Sequence, residues 1–65
     1  MARYDEITVK LSGRDGNAFV VMGAVSAALK RGGVSEKEVE QFMSEAMGGD
    51  YHNLLRVCMD WVKVV

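Results

Sequence analysis

Hydrophobic and polar positions alternate differently in four parts of this chain. Ile7, Val9 and Leu11 alternate with Glu6, Thr8 and Lys10, and this period of two predicts a half-buried strand over residues 5–11. From Ala18 to about Arg31 the pattern turns helical and almost continuous, with Phe19, Val20, Val21, Met22, Val25 and Leu29 among small residues that leave no polar face. A helix apolar all round is expected at the centre of a fold, with neighbours on every side. Asp15 or Asn17 can cap its start, Lys30 and Arg31 complement the dipole at its end, and Gly32 stops it. Gly23 and Ala27, four residues apart, let another backbone approach closely. Ordinary tight packing is the first reading of that pair, a dimer motif the second.

The next helix has sharper boundaries. Ser35 with Glu38 three residues later predicts a capping box, in which hydroxyl and carboxylate each satisfy a backbone N–H. Val39, Phe42, Met43, Ala46 and Met47 then form one apolar stripe, Gly48 and Gly49 end it, and Glu36, Lys37, Glu40 and Glu45 are left to solvent. Asp50 can cap a third helix with the stripe Tyr51, Leu54, Leu55, Cys58, Trp61 and Val62, while Asn53, Arg56 and Asp60 face outward. The tail, residues 61–65, can fray from that helix or form a short strand. The strand at 5–11 needs a pairing partner for its backbone groups. That partner is the tail or the same strand of a second copy, and the expectation leans to the second copy. The fold class is therefore α+β: an N-terminal strand followed by three helices, with a short C-terminal strand as an option, in one small domain over residues 1–65.

Size adds a constraint. A chain of 65 residues hides only about 60% of its unfolded surface on folding. One Cys and one His supply neither an internal disulfide nor a zinc site, so good packing or a partner chain must stabilise the fold. The net charge of −1 gives no general attraction to nucleic acid or anionic lipid. Charge is uneven, though: +2 over residues 1–31, −3 over 32–49 and zero over 50–65. No apolar run approaches the roughly 20 residues that span a bilayer, and Met1–Glu6 does not resemble a signal peptide. With a single cysteine, these features lead us to expect a cytoplasmic protein without cofactor or metal.

The remaining candidates for chemistry are few. Gly13, Arg14, Gly16 and Asn17 lie between the strand and the first helix, where free N–H groups can meet an anion. Their Gly-x-x-Gly spacing resembles the loop with which KH domains clamp a nucleic-acid backbone. Here, however, a strand precedes the loop and Asp15 adds a negative charge, so a structural turn with capping is the leading reading. His52 has no nucleophile at helical spacing, because Cys58 six residues later points about 120° away. Cys58 falls on an apolar stripe and reads as a core residue. Met43 and Met47, with Tyr51 and Trp61, are residue types that fill cores and also enrich interfaces, and Glu36 and Glu40 offer an acidic docking face.

The segment Val9–Phe19, running into Ala28–Arg31 and closing with Tyr51–Trp61, is similar to short uncharacterised proteins of bacteria and of their phages or mobile elements. The resemblance covers most of the chain, transfers no functional residue, and implies an accessory protein rather than a metabolic enzyme. The expected function is that of a non-catalytic protein-binding module, a homodimer that also binds a second protein. Its contact residues would be Tyr51, Trp61, Met43, Met47, Glu36 and Glu40, and its dimer strand would use Ile7, Val9 and Leu11. The alternative is nucleic-acid or anion binding through Gly13–Asn17 with Lys10, Lys30 and Arg31.

Overall fold

The computed structural model describes residues 2–11 and 17–65. The elements run β1 (Tyr4–Val9), α1 (Ala18–Arg31), α2 (Glu36–Ala46), α3 (Tyr51–Trp61) and β2 (Val62–Val64), which is the expected α+β order with the terminal strand present. The β-branched tail leaves α3 at Val62 and lies parallel to β1, pairing Tyr4 with Val62, Thr8 with Lys63 and Val9 with Val64. The ladder slips between Tyr4 and Thr8, so Tyr4 and Ile7 can both lean inward although their spacing is odd. Backbone bonds extend the pairing at both ends: Arg3 N–H donates to the Asp60 carbonyl (2.8 Å), and Leu11 N–H donates to the Val65 carbonyl (3.1 Å).

This pairing corrects the expectation that β1 would turn to a second copy. A parallel partner needs a long crossover, and the three helices provide it within the chain. Val9 is buried, and Ile7 and Leu11 pack against the core, so the three residues proposed as a dimer strand spend their side chains inside their own fold. The folded surface of 4214 Å² is close to the roughly 4,100 Å² that scaling gives for a monomer of this mass. One chain therefore closes its own core.

The helix ends follow from their caps. Asn17 accepts from Phe19 N–H at 2.8 Å, selecting Asn17 rather than Asp15 as the cap of α1. The other end of α1 is a Schellman turn, in which Val34 N–H reaches the Leu29 carbonyl and Gly33 N–H the Lys30 carbonyl. Gly32 is the C-cap that stops the helix, as expected, and the left-handed residue is the next one, Gly33, at φ 86°. Gly32 is small for a different reason: a Cβ there would come within 2.6 Å of the Ile7 side chain. Ser35 Oγ accepts from Glu38 N–H at 3.3 Å, but the Glu38 carboxylate turns instead to the Tyr4 hydroxyl at 2.6 Å and the Arg3 guanidinium at 3.6 Å. Only half of the expected capping box is formed. Asp50 caps α3 through Asn53 N–H at 2.9 Å. Asn53 is not free in solvent: its amide donates to the Glu45 carbonyl at 3.1 Å, tying α3 to the last turn of α2.

The core lies where α1, α2 and α3 meet the sheet. Val25, Leu29, Phe42, Leu54, Cys58 and Val62 are fully enclosed. The buried stripe of α3 is Leu54, Val57, Cys58 and Trp61, rotated from the expected one, so that Tyr51 is exposed and Leu55 half-buried. α1 departs from expectation more strongly. Val21, Met22, Val25, Ser26, Ala28 and Leu29 are buried, but Phe19, Val20, Gly23 and Ala27 are exposed. Despite its composition this helix is covered on one side only. No helix among the described residues is long and apolar enough to cross a membrane.

Candidate functional site

The first turn of α1, the last turn of α2 and the first turn of α3 surround an open cleft of about 320 Å³. Its walls include Phe19, Met22, Met47, Tyr51 and Leu54, with Ala18, Ala46 and Gly49 at positions where larger side chains would narrow it. Each wall is fixed by a local sequence device. The Asn17 cap sets where α1 begins and so where Phe19 points; the Asp50 cap places Tyr51 at the head of α3. Between α2 and α3, a Cβ at Gly49 would meet Asn53 Cβ at 2.9 Å, so glycine lets the chain pass close to the side chain that links these helices. Leu54 and Met22 form a buried floor, whereas Phe19, Met47 and Tyr51 stand 76%, 60% and 41% exposed. Exposed large apolar side chains gathered around a concavity are a mark of interaction surfaces.

Four of the sequence-predicted contact residues form a row leading to this cleft. Glu36, Glu40, Met43 and Met47 are spaced four, three and four apart on α2, which places them along one side of the helix. The two glutamates and Met47 are exposed and Met43 is half-buried. Tyr51 lies across the cleft from Met47.

Trp61 does not join them. It is 2% exposed and enclosed by the chain itself: the Arg3 guanidinium lies 4.2 Å from its ring centroid, Tyr4 stacks at 6.2 Å, and Phe42 meets it edge-on at 5.9 Å. Its indole N–H donates to Glu45 Oε1 at 3.1 Å, so the polar atom that would favour a place at an interface is satisfied internally. Accepting from Trp61, and also from Gln41, holds the Glu45 carboxyl below its ordinary range. The Tyr4 phenol is shifted upward, chiefly because its hydroxyl donates to the Glu38 carboxylate.

Of the proposed anion loop, Gly13, Arg14 and Gly16 lie outside the described residues. Asn17 is engaged as the cap of α1. Lys30 and Arg31 are exposed in the last turn of the same helix, at the end away from Asn17. His52 is exposed at the start of α3, and Cys58 is fully buried, with burial pushing its thiol up to about 11. A thiol so placed is a poor nucleophile near neutral pH. Among the described residues no three His, Cys, Asp or Glu side chains are grouped to hold a metal ion.

Sequence reasoning missed Phe19. The signal was available in helical spacing, since Phe19, Val20, Gly23 and Ala27 occupy an arc opposite the bulkier aliphatic residues of α1. The unbroken hydrophobicity of the helix concealed that arc. No protein-family model, no curated protein and no solved structure matches this chain, so any functional reading rests on the residues and geometry described above.

Proposed function

We propose that this chain is a non-catalytic interaction module of the cytoplasm, homodimeric, that binds a second protein and serves as an accessory factor. The observation supporting this reading is the cleft bordered by exposed Phe19, Met47 and Tyr51, approached along α2 by the acidic row of Glu36 and Glu40. An apolar depression with a polar approach matches the anatomy of protein contact sites, in which aromatic and methionine side chains anchor and charged residues form the rim.

Affinity capture from host extract with the wild-type chain and with Met47→Asp tests the reading, with retained protein read by mass spectrometry and nucleic acid by staining. A protein retained by the wild type and lost with Met47→Asp supports it. Retention of nucleic acid alone, weakening steeply with salt, would overturn it in favour of the Gly13–Asn17 loop. The dimer is tested separately by sedimentation at micromolar concentration, where a stable monomer counts against it.

A further inference from the structure

We propose that the cleft and the row along α2 receive a basic amphipathic helix of the partner protein, antiparallel to α2, with one apolar side chain anchored in the cleft. The inference rests on the protein-binding reading above and states which kind of segment the site takes. Charge selects the partner. Of the four glutamates on α2, two are spent inside the fold: Glu38 on Tyr4 and Arg3, Glu45 on Trp61 and Gln41. The side chains of Glu36 and Glu40 have no hydrogen-bond or ion-pair partner among the described residues. Glu36 lies in the first turn, where the helix dipole favours a carboxylate, but Glu40 is beyond that turn and serves no such purpose. Lys37, the only cation on α2, points at least about 60° away from either glutamate. Among the described residues that line the cleft or the row, every charged one is acidic, Asp50 at the cleft included. A cationic segment complements that rim.

Geometry sets the spacing on the partner. A cleft of about 320 Å³ is at the small end of binding pockets and suits an anchoring side chain. Glu40 and Glu36 lie seven and eleven residues before Met47, about 10 and 16 Å along α2 at its rise per residue. A partner helix has the same rise. An apolar residue seated between Phe19, Met47 and Tyr51 is therefore followed by a second apolar residue one turn on, over half-buried Met43, and by Lys or Arg seven and eleven residues after the anchor. The antiparallel direction places those cations in the last turns of the partner helix, where its own dipole favours them. It also brings the negative end of that helix beside the positive end of α2. A parallel helix would put the cations at its N-terminus, where its dipole opposes them.

Fluorescence anisotropy of the full chain with a labelled synthetic peptide tests this. The probe is a helical peptide of about 18 residues on an Ala–Gln background, with Leu at the anchor and four residues on, and Lys seven and eleven residues after the anchor. It is expected to bind the wild type, to bind about tenfold more weakly when Glu36→Gln and Glu40→Gln are combined, and at least about thirtyfold more weakly to Met47→Asp. These three positions are exposed, and matching circular dichroism spectra establish that the variants keep the fold. Unchanged affinity for the double variant, or equal binding of a peptide with Glu in place of Lys, would overturn the charge match. Equal binding of the peptide in reversed sequence would overturn the antiparallel order. Absence of binding at about 1 mM peptide would overturn the inference, while an extract protein whose capture still depends on Met47 would leave the interaction reading standing. Nucleic acid alone retained from extract would overturn both. A wild-type dimer that Met47→Asp dissociates, with no peptide bound, would give the cleft to a second copy instead.

Discussion

Phe19 and Trp61 are both aromatic and both adjoin helix ends, yet one is three-quarters exposed and the other sealed. Hydrophobicity does not explain the contrast, since tryptophan carries a polar atom and phenylalanine none. Neighbours from distant parts of the chain explain it. Arg3 and Tyr4 arrive with the N-terminal strand, Phe42 and Glu45 with α2; the first three pack on the indole and Glu45 accepts its N–H. Phe19 borders an open cleft and has no ring partner among the described residues. Burial of an aromatic residue here is decided by who reaches it, and the side chain left unreached stands at the rim of the open cleft.

Substitutions can break this contrast, the largest effect first. Trp61→Ala removes a buried side chain and strands three groups that pack on it, so it is expected to cost about 3–5 kcal/mol. Against the roughly 3–10 kcal/mol available to a chain of this length, chemical denaturation should find the variant largely unfolded. The closed side also predicts a pH dependence. Burial pushes the folded Cys58 thiol up to about 11 from its ordinary 9.0, so its contribution to stability is complete below about pH 9 and is lost as pH rises toward 11. The raised Tyr4 phenol adds a fall of the same sign in the alkaline range. Urea midpoints should therefore decline over that window, with a shallower slope in Cys58→Ala.

Arg3→Ala tests the lid over Trp61. The guanidinium side chain is 48% exposed, so the loss should be only about 0.5–1 kcal/mol, seen as a modest shift in midpoint with brighter, red-shifted tryptophan emission. Phe19→Ser should have the smallest effect on stability, within about 0.5 kcal/mol as for other surface changes, while any protein captured through the cleft is lost. A Phe19→Ser chain destabilised as much as Trp61→Ala would abolish the distinction between the two regions.

The helices were legible wherever the signals were local. Ser35 and Asp50 act as caps at the expected positions, and the α2 stripe was readable because its apolar residues recur at helical spacing. What could not be read was who meets whom across the chain. Val62–Val64 carries no sign that its partner is β1, since parallel pairing leaves no turn between the strands. Trp61 was assigned to the contact surface because nothing near it in sequence announces Arg3. Phe19 was assigned to the interior because α1 is apolar on every side and only the packing of α2 and α3 reveals which side stays bare. Glu38 illustrates a competition between local and distant partners: its capping role was expected from spacing, but Tyr4 and Arg3 take its carboxylate.

The parallel pairing of β1 with β2 also fixes an order of events during synthesis. β1 is made first, but its partner begins at Val62, about fifty residues later, and at about 5–20 residues per second that delay lasts several seconds. α1 and α2 are complete within that interval and α3 ends as β2 begins, so helices built on local contacts can form first and the sheet joins last because its contacts are the most distant in sequence. During the wait β1 presents Ile7 and Val9 with unpaired backbone groups, the type of segment that chaperones hold and misfolding exploits. Asp5, Glu6 and Lys10 place exposed charge beside these apolar positions, the usual means by which a strand edge is kept from pairing with other chains.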